Sequence, residues 1–417
     1  MRVTVFKGDV RVRSTTVPGS LLVLLAIFST MSLIATTPKA TAEPGGAGQI
    51  SQPASATPFD RHGMWIWYMD RIEGGSLQRI VARAKRAGIG TLYVKSGDAG
   101  SYWSQFSASL VERLHRAGLD VCAWQFVYGD SPLAEAKIAA AAVRRGADCF
   151  VIDAEGQYEG KYAAADLYMR ALRARVGESY PIALASFPYV DYHPSFPYSV
   201  FFGPGGATYN QPQMYWKAIE TSVRAVFEHT YLYNRLWGHP IYPLGQTYQQ
   251  PSRRELLRFR RFAESYGGLQ PSWWAWHETN SPGWNALGSQ LAGPVFGYRA
   301  IDEHPVLRRG SKGDLVVWAQ MHLRGAGQGR LPVTGIFGRL TAAAVRDFQS
   351  ERGLRVDGVI GQTTWHALLN FDPVRPLWSG RRAKRGRAAA SRAMPPRRPL
   401  SASLPAQAYE IDPGPSP

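Results

Sequence analysis

Two carboxylates are the residues best suited to chemistry in this 417-residue chain. Asp153 and Glu155 stand at the end of an apolar run, Cys149-Phe150-Val151-Ile152. Residues two apart on a strand project to the same side, so both acids are expected to face one space. Two carboxylates held close repel when both are ionised, and one pKa rises. A carboxylic acid that keeps its proton can pass it to a leaving glycosidic oxygen. Glu155 is assigned that role, and Asp153 is assigned as its partner.

Other side chains are expected to stand around this pair, at the ends of neighbouring strands. Trp67, Lys95, Gln125, Gln213, Tyr215 and Trp276 are the expected substrate-binding residues. The chain holds 13 Trp and 20 Tyr, and flat apolar rings suit the faces of sugars. Lys95 either touches a ligand or pairs with Asp153, the ion pair being the preferred reading. Metal and cofactor chemistry find no support. His62, His193 and His277 lack ligand spacing, and neither H-x-x-H nor G-x-S-x-G occurs. The glycine loop Gly203-Pro204-Gly205-Gly206 lacks the lysine context of a phosphate cradle. No metal and no cofactor are expected.

These residues need a scaffold, and the pattern over 59–298 supplies one. Candidate strands at 64–69, 91–96, 121–127, 149–153, 182–187, 213–216, 241–246 and 272–277 alternate with helical stretches. The clear helices are 77–86, 108–116, 133–145, 163–175, 222–236 and 253–266. Gly88, Gly118, Gly146, Gly177 and Gly267 end helices. Eight such units predict an α/β fold, a (β/α)8 barrel with its chemistry at the C-terminal ends of the strands. The fifth unit is irregular, with 194–210 reading as a loop, so a distorted or seven-stranded barrel is the alternative.

The flanks read differently. Residues 1–42 resemble a secretory signal: basic residues, an apolar stretch from Leu21 to Ala35, then Ala40-Thr41-Ala42. The small, polar residues 43–58 read as a linker. Residues 371–417 are basic and rich in Pro, Ala and Arg, and are expected to be disordered. The formal charge of +17 suits an anionic polymer, and no nucleic-acid motif accompanies it. Cys122 and Cys149 fall on neighbouring strands, as buried thiols or as a disulfide.

Residues 305–370 carry LRRGSKGD, Gln320, GIFGRLT, AVRDFQ and VDGVIGQTTW. This region resembles the peptidoglycan-binding domain family, which implies three short helices around one core and a wall-glycan partner. Thr341 and Thr363 are expected as N-caps. The barrel segment is similar, locally, to two glycosidase families. Family-25 lysozymes carry Asp-x-Glu on the fourth strand, and 92–98 (LYVKSGD) looks like their second strand. Family-18 chitinases carry Asp-x-x-Asp-x-Asp-x-Glu there; Asp148, Asp153 and Glu155 match, while Val151 stands in place of the second of the four acids. Gln213-Met214-Tyr215 is similar to the chitinase tyrosine segment, and Trp276 to a sugar-platform tryptophan. The resemblance implies a wall-associated glycoside hydrolase acting on an N-acetylhexosamine glycan such as peptidoglycan. The leader predicts secretion with no transmembrane segment retained after cleavage, and a monomer is expected. The competing reading is a non-catalytic wall-binding protein with a degenerate barrel.

Overall fold

The computed structural model describes residues 57–378 apart from 268 and 269. The expected leader over 1–42, nearly all of the linker, and residues 379–417 lie outside the described residues. Eight parallel strands form the frame: β1 (Gly63–Ile66), β2 (Thr91–Asp98), β3 (Asp120–Val127), β4 (Cys149–Ala154), β5 (Ile182–Ser186), β6 (Tyr209–Pro212), β7 (Leu244–Gln246) and β8 (Ser272–Trp274). Neighbours pair in chain order from β1 to β6, and β8 lies between β1 and β7. Bridges Asn210–Ile241 and Gln213–Leu244 join the remaining gap, so the barrel is nearly closed.

Helices follow the strands: α1 (Leu77–Arg86), α2 (Ala108–Arg116), α3 (Pro132–Val143), α4 (Tyr162–Val176), α5 (Tyr198–Phe201), α6 (Val223–Asn234), α7 (Arg253–Ser265) and α8 (Ser281–Leu287). Gly88, Gly118, Gly146 and Gly177 have φ of 67°, 78°, 93° and 90°, the left-handed region that glycine enters freely. Two strand predictions shift. The sixth strand is Tyr209–Pro212, not 213–216, because the polar run Asn210-Gln211 concealed it. The eighth stops at Trp274, and the turn Trp276–Glu278 carries the chain away.

Strand parity sorts the core into two layers. Trp65, Tyr93, Cys122, Trp124, Cys149, Val151 and Trp274 fill the lumen. Met64, Leu92, Val94, Ala123, Phe150 and Ile152 face the helices. Phe59 belongs to the lumen cluster, and nearby Tyr242 donates to Asp60 at 2.6 Å. Cys122 and Cys149 are paired in register, with Cα atoms 4.6 Å apart, and form a disulfide.

The irregular fifth unit has a physical explanation. Helix α5 spans only four residues, and the first helix of the C-terminal module, α9 (Asp314–Gly325), packs on it. Trp318 of α9 donates to the Leu236 carbonyl at 2.7 Å and meets the Trp237 ring edge-on. Asp314 accepts from the Ser199 backbone N–H and hydroxyl at 2.7 and 2.5 Å. The module therefore completes the helical coat of the barrel. Residues 371–378 correct the expectation of a disordered tail from 371 onward. Val374 N–H donates to the Met321 carbonyl, Arg375 pairs with Asp166 at 2.5 Å, and Trp378 packs on Tyr162.

Within the module, α9 is joined by α10 (Arg339–Glu351) and α11 (Gln362–Leu368). Gln320 and Gln349 do the same work in two related halves. The Gln320 carbonyl accepts from Thr334 and Gly335 N–H, and its amide donates to the Ile336 carbonyl and the Thr341 hydroxyl. Gln349 treats Asp357, Gly358, Val359 and Thr364 in the same way. Thr341 and Thr363 are not N-caps; Gly338 and Gly361 hold those places. Thr341 and Thr364 instead sit inside the first turns and take the glutamine amides.

Candidate active site at the barrel mouth

On β4, Cys149 and Val151 point into the lumen, so Asp153 does as well, at its C-terminal end. Asp153 is buried, while Glu155, just past the strand, is part-exposed. Gln213 links them. Its Nε2 donates to Asp153 Oδ1 and to Glu155 Oε1, at 3.0 Å each. The two accepting oxygens are therefore no farther apart than twice that distance.

Electrostatics favour retained protons. Burial pushes Asp153 well above the ordinary carboxyl range, the Glu155 charge adds to this, and Lys95 opposes it. Burial also raises Glu155, against the Gln213 hydrogen bond and the charge of His193. His193 stacks on Phe187 and bonds Glu159 at 2.8 Å, so its position is fixed.

Lys95 points into the lumen on β2 and is only 2% exposed. Its direct partner is Asp98, at 2.6 Å, rather than the Asp153 expected from sequence. Asp98 is reachable because the strand register shifts between Lys95 and Gly97. The ammonium lies 4.6, 4.4 and 5.0 Å from the ring centres of Trp67, Trp103 and Trp124, a cation over three π faces. Burial lowers the Lys95 pKa, while Asp98 and then Asp153 hold it up. Asp98 also accepts from Tyr128, whose pKa is pushed up to about 12, chiefly by burial.

Loop geometry is set by polar groups behind the mouth, one half-buried and one fully buried. Gln105 donates to the Trp67 and Lys95 carbonyls at 2.7 and 2.9 Å and accepts from Met69 N–H. This ties the exits of β1 and β2 together. Glu135, fully buried on α3, accepts from Tyr128 and Gly129 N–H and fixes the loop after β3.

The expected residues thus divide. Asp153, Glu155, Gln213, Lys95 and Trp67 converge on the mouth. Tyr215 packs in the lumen cluster against Tyr248. Gln125 does not join them. Cys122, Trp124 and Phe126 take the inward parity on β3, which turns Gln125 outward, where it donates to the Ala99 and Glu135 carbonyls. Trp276 also leaves the lumen, because the strand ends before it; it packs on Trp284 and donates to Glu73. Trp274 holds the inward place instead, against Trp65, Trp67 and Trp124. Trp103, Tyr128 and Trp274 were missed from sequence. Alternation in Ser272-Trp273-Trp274 is the signal that could have found the last.

No group of three or more His, Cys, Asp or Glu among the described residues is arranged to hold a metal ion. Among them, no helix is long and apolar enough to cross a membrane.

Comparison with known proteins addresses the two regions unequally. Residues 312–368 match the family model of the peptidoglycan binding domain. For the barrel, solved structures give low likeness. A Streptomyces coelicolor protein described as chitinase A is 13% identical with a TM-score of 0.43, over 56% of this chain and 98% of that one. A family 25 glycosyl hydrolase from Bacillus anthracis is 12% identical with a TM-score of 0.27, over 38% and 73%. At such likeness the chemistry of the barrel rests on its own side chains. An uncharacterized protein in the bpoA1 3' region of Kitasatospora aureofaciens is 40% identical over 94 residues, 22% of this chain and 75% of that one. The chain belongs to the same family as this Kitasatospora protein, and its residues 312–368 are a peptidoglycan binding domain.

Proposed function

We propose that the protein is an exported cell-wall glycoside hydrolase acting on a glycan that contains N-acetylhexosamine, such as peptidoglycan. The observation that carries this reading is the sharing of Gln213 by two acids with raised pKa values at the barrel mouth. Two such groups favour a pair that holds one proton and one negative charge. Burial holds the proton on Asp153 in the free protein, and the reaction passes it to Glu155, with Lys95 and Gln213 supporting the charge left on Asp153.

Protonated Glu155 donates to the glycosidic oxygen as the bond from that oxygen to the anomeric carbon breaks. The acetamido oxygen of the same sugar attacks the anomeric carbon and closes a positively charged ring, which ionised Asp153 stabilises. Glu155, now a carboxylate, removes a proton from water, and the water opens that ring. Gln213 holds both acids in place throughout. Trp67 and Trp274 offer apolar faces to the sugar. The module keeps the enzyme on its polymer and raises the effective substrate concentration.

The test is release of reducing sugar from purified cell walls by wild type and Glu155→Gln. General acid–base catalysis is worth about 10²–10⁴-fold, so the variant is expected to lose that much. Equal release by both proteins counts against catalysis by Glu155, and release by neither favours the non-catalytic wall-binding alternative.

A further inference from the structure

The module does not only cover the side of the barrel; one of its loops reaches the mouth. Gly313 lies flush against Pro194, in the loop that follows β5. A Cβ at Gly313 would stand 2.7 Å from the Pro194 side chain, and φ there is 107°. Asp314 N–H donates to the Pro194 carbonyl at 2.8 Å. Pro194 directly follows His193, the residue whose charge acts on Glu155. The loop before Gly313 therefore begins where the rim of the candidate active site ends.

That loop is strongly basic. Arg308, Arg309 and Lys312 are exposed, and Arg339 is exposed beside them at the start of α10. The loop is held to the following turn by Gly310 N–H to the Phe337 carbonyl, Phe337 N–H to the Ser311 carbonyl, and the Lys312–Ile336 bridge. None of the four cations takes part in an ion pair among the described residues, whereas Arg355 of the same module pairs with Asp357. Their charge is thus uncompensated and faces solvent.

We propose that Arg308, Arg309, Lys312 and Arg339 form a docking ledge for a phosphodiester-linked wall polymer, set against the barrel rim so that the attached glycan is presented to Glu155. Three of the four are arginines, whose planar forks match phosphate oxygens two at a time. A row of cations with no acid among them calls for an anion that repeats along a chain, as phosphate diesters do. Binding at the ledge stands on the charge and geometry of the module alone. Presentation to Glu155 rests on the glycosidase reading.

Sedimentation of the full-length protein with cell walls tests the ledge without any need for turnover. Native walls are compared with walls stripped of phosphodiester polymers by cold hydrofluoric acid. Wild type is expected to bind native walls about ten-fold better than stripped ones, with affinity falling steeply as salt rises. The triple variant Arg308→Gln, Arg309→Gln, Lys312→Gln is expected to lose that advantage. Arg308→Lys with Arg309→Lys, which keeps the charge, is expected to retain most of it. Equal binding of wild type to native and stripped walls overturns the proposal, and this arm requires no variant to fold. An unimpaired triple variant overturns it as well. A kept preference for native walls with no glycan release by wild type sinks the glycosidase reading alone. Glycan release with equal binding of native and stripped walls sinks the ledge alone, so the two failures are separable.

Discussion

A buried glutamine amide serves the C-terminal module and the barrel mouth in opposite ways. In the module, Gln320 and Gln349 each use both ends of the amide, accepting from two turn N–H groups and donating to a carbonyl and a threonine. Those bonds satisfy neutral groups, and Gln349 donates one more to the Asp357 carboxylate, at 2.9 Å. At the mouth, one Gln213 nitrogen is divided between two acids that burial already disfavours in their charged forms. Nearby, Trp67 Nε1 and Gln125 Oε1 are buried without a hydrogen-bond partner among the described residues. His322 Nε2 and Arg324 Nε of the module are also buried without a partner among the described residues, so what sets the mouth apart is its pair of acids with raised pKa values. Under the proposed function the module's glutamines serve stability and Gln213 serves chemistry, and substitutions in the two regions are expected to separate those properties.

The largest expected effect is at the mouth. Asp153→Asn should lower glycan release by about 10²-fold or more while leaving wall binding unchanged, measured as reducing ends against sedimentation. The module gives the reverse. Gln349→Ala strands the buried Gly358 N–H, at about 1–3 kcal/mol, and also removes the acceptor of the Asp357 N–H on the exposed side of the turn. Urea melts should show that loss, and turnover per folded molecule on a short soluble substrate should be retained. A large turnover defect from Gln349→Ala would erase the contrast between the regions.

The third effect is smaller and of opposite sign. Glu155 has its pKa raised in the folded state, so its contribution to stability is present below the unfolded value and lost as pH rises through the folded one. Near neutral pH its charge therefore works against folding. Glu155→Gln should raise the melting temperature at pH 7 by about 2 °C, with little difference near pH 3, where both side chains are neutral. The smallest effect concerns Lys95. Its charge holds the Asp153 pKa down. Lys95→Met should move the acidic limb of the rate profile to higher pH, because Asp153 then ionises later. An unmoved limb would separate Lys95 from the acid pair.

Much of this was legible in the sequence for local reasons. Helices α1 and α2 fall where their apolar spacing and flanking glycines predict, and parity alone put Asp153 in the lumen. The module was legible through motifs whose residues all act within a few turns of one another. The failures have different causes: a parity overlooked, a strand that ends early, a distant partner, or a nearer partner on the same strand. Gln125 was counted by its nearness to the end of β3 rather than by its parity. Trp276 depended on β8 stopping at Trp274. The short α5 made sense only once α9, more than a hundred residues later, was seen to cover that face. Lys95 was matched to Asp153 through the barrel, while its nearer partner Asp98 lay three residues along its own strand.

The most direct test of the central claim is complete digestion of purified peptidoglycan followed by mass analysis of the soluble fragments. The expected result is fragments with new reducing-end N-acetylhexosamines and intact peptides, produced by wild type and not by Glu155→Gln. Fragments with cut peptide or amide bonds and uncut glycan strands would contradict the assignment of Asp153 and Glu155 as a glycan-cleaving pair.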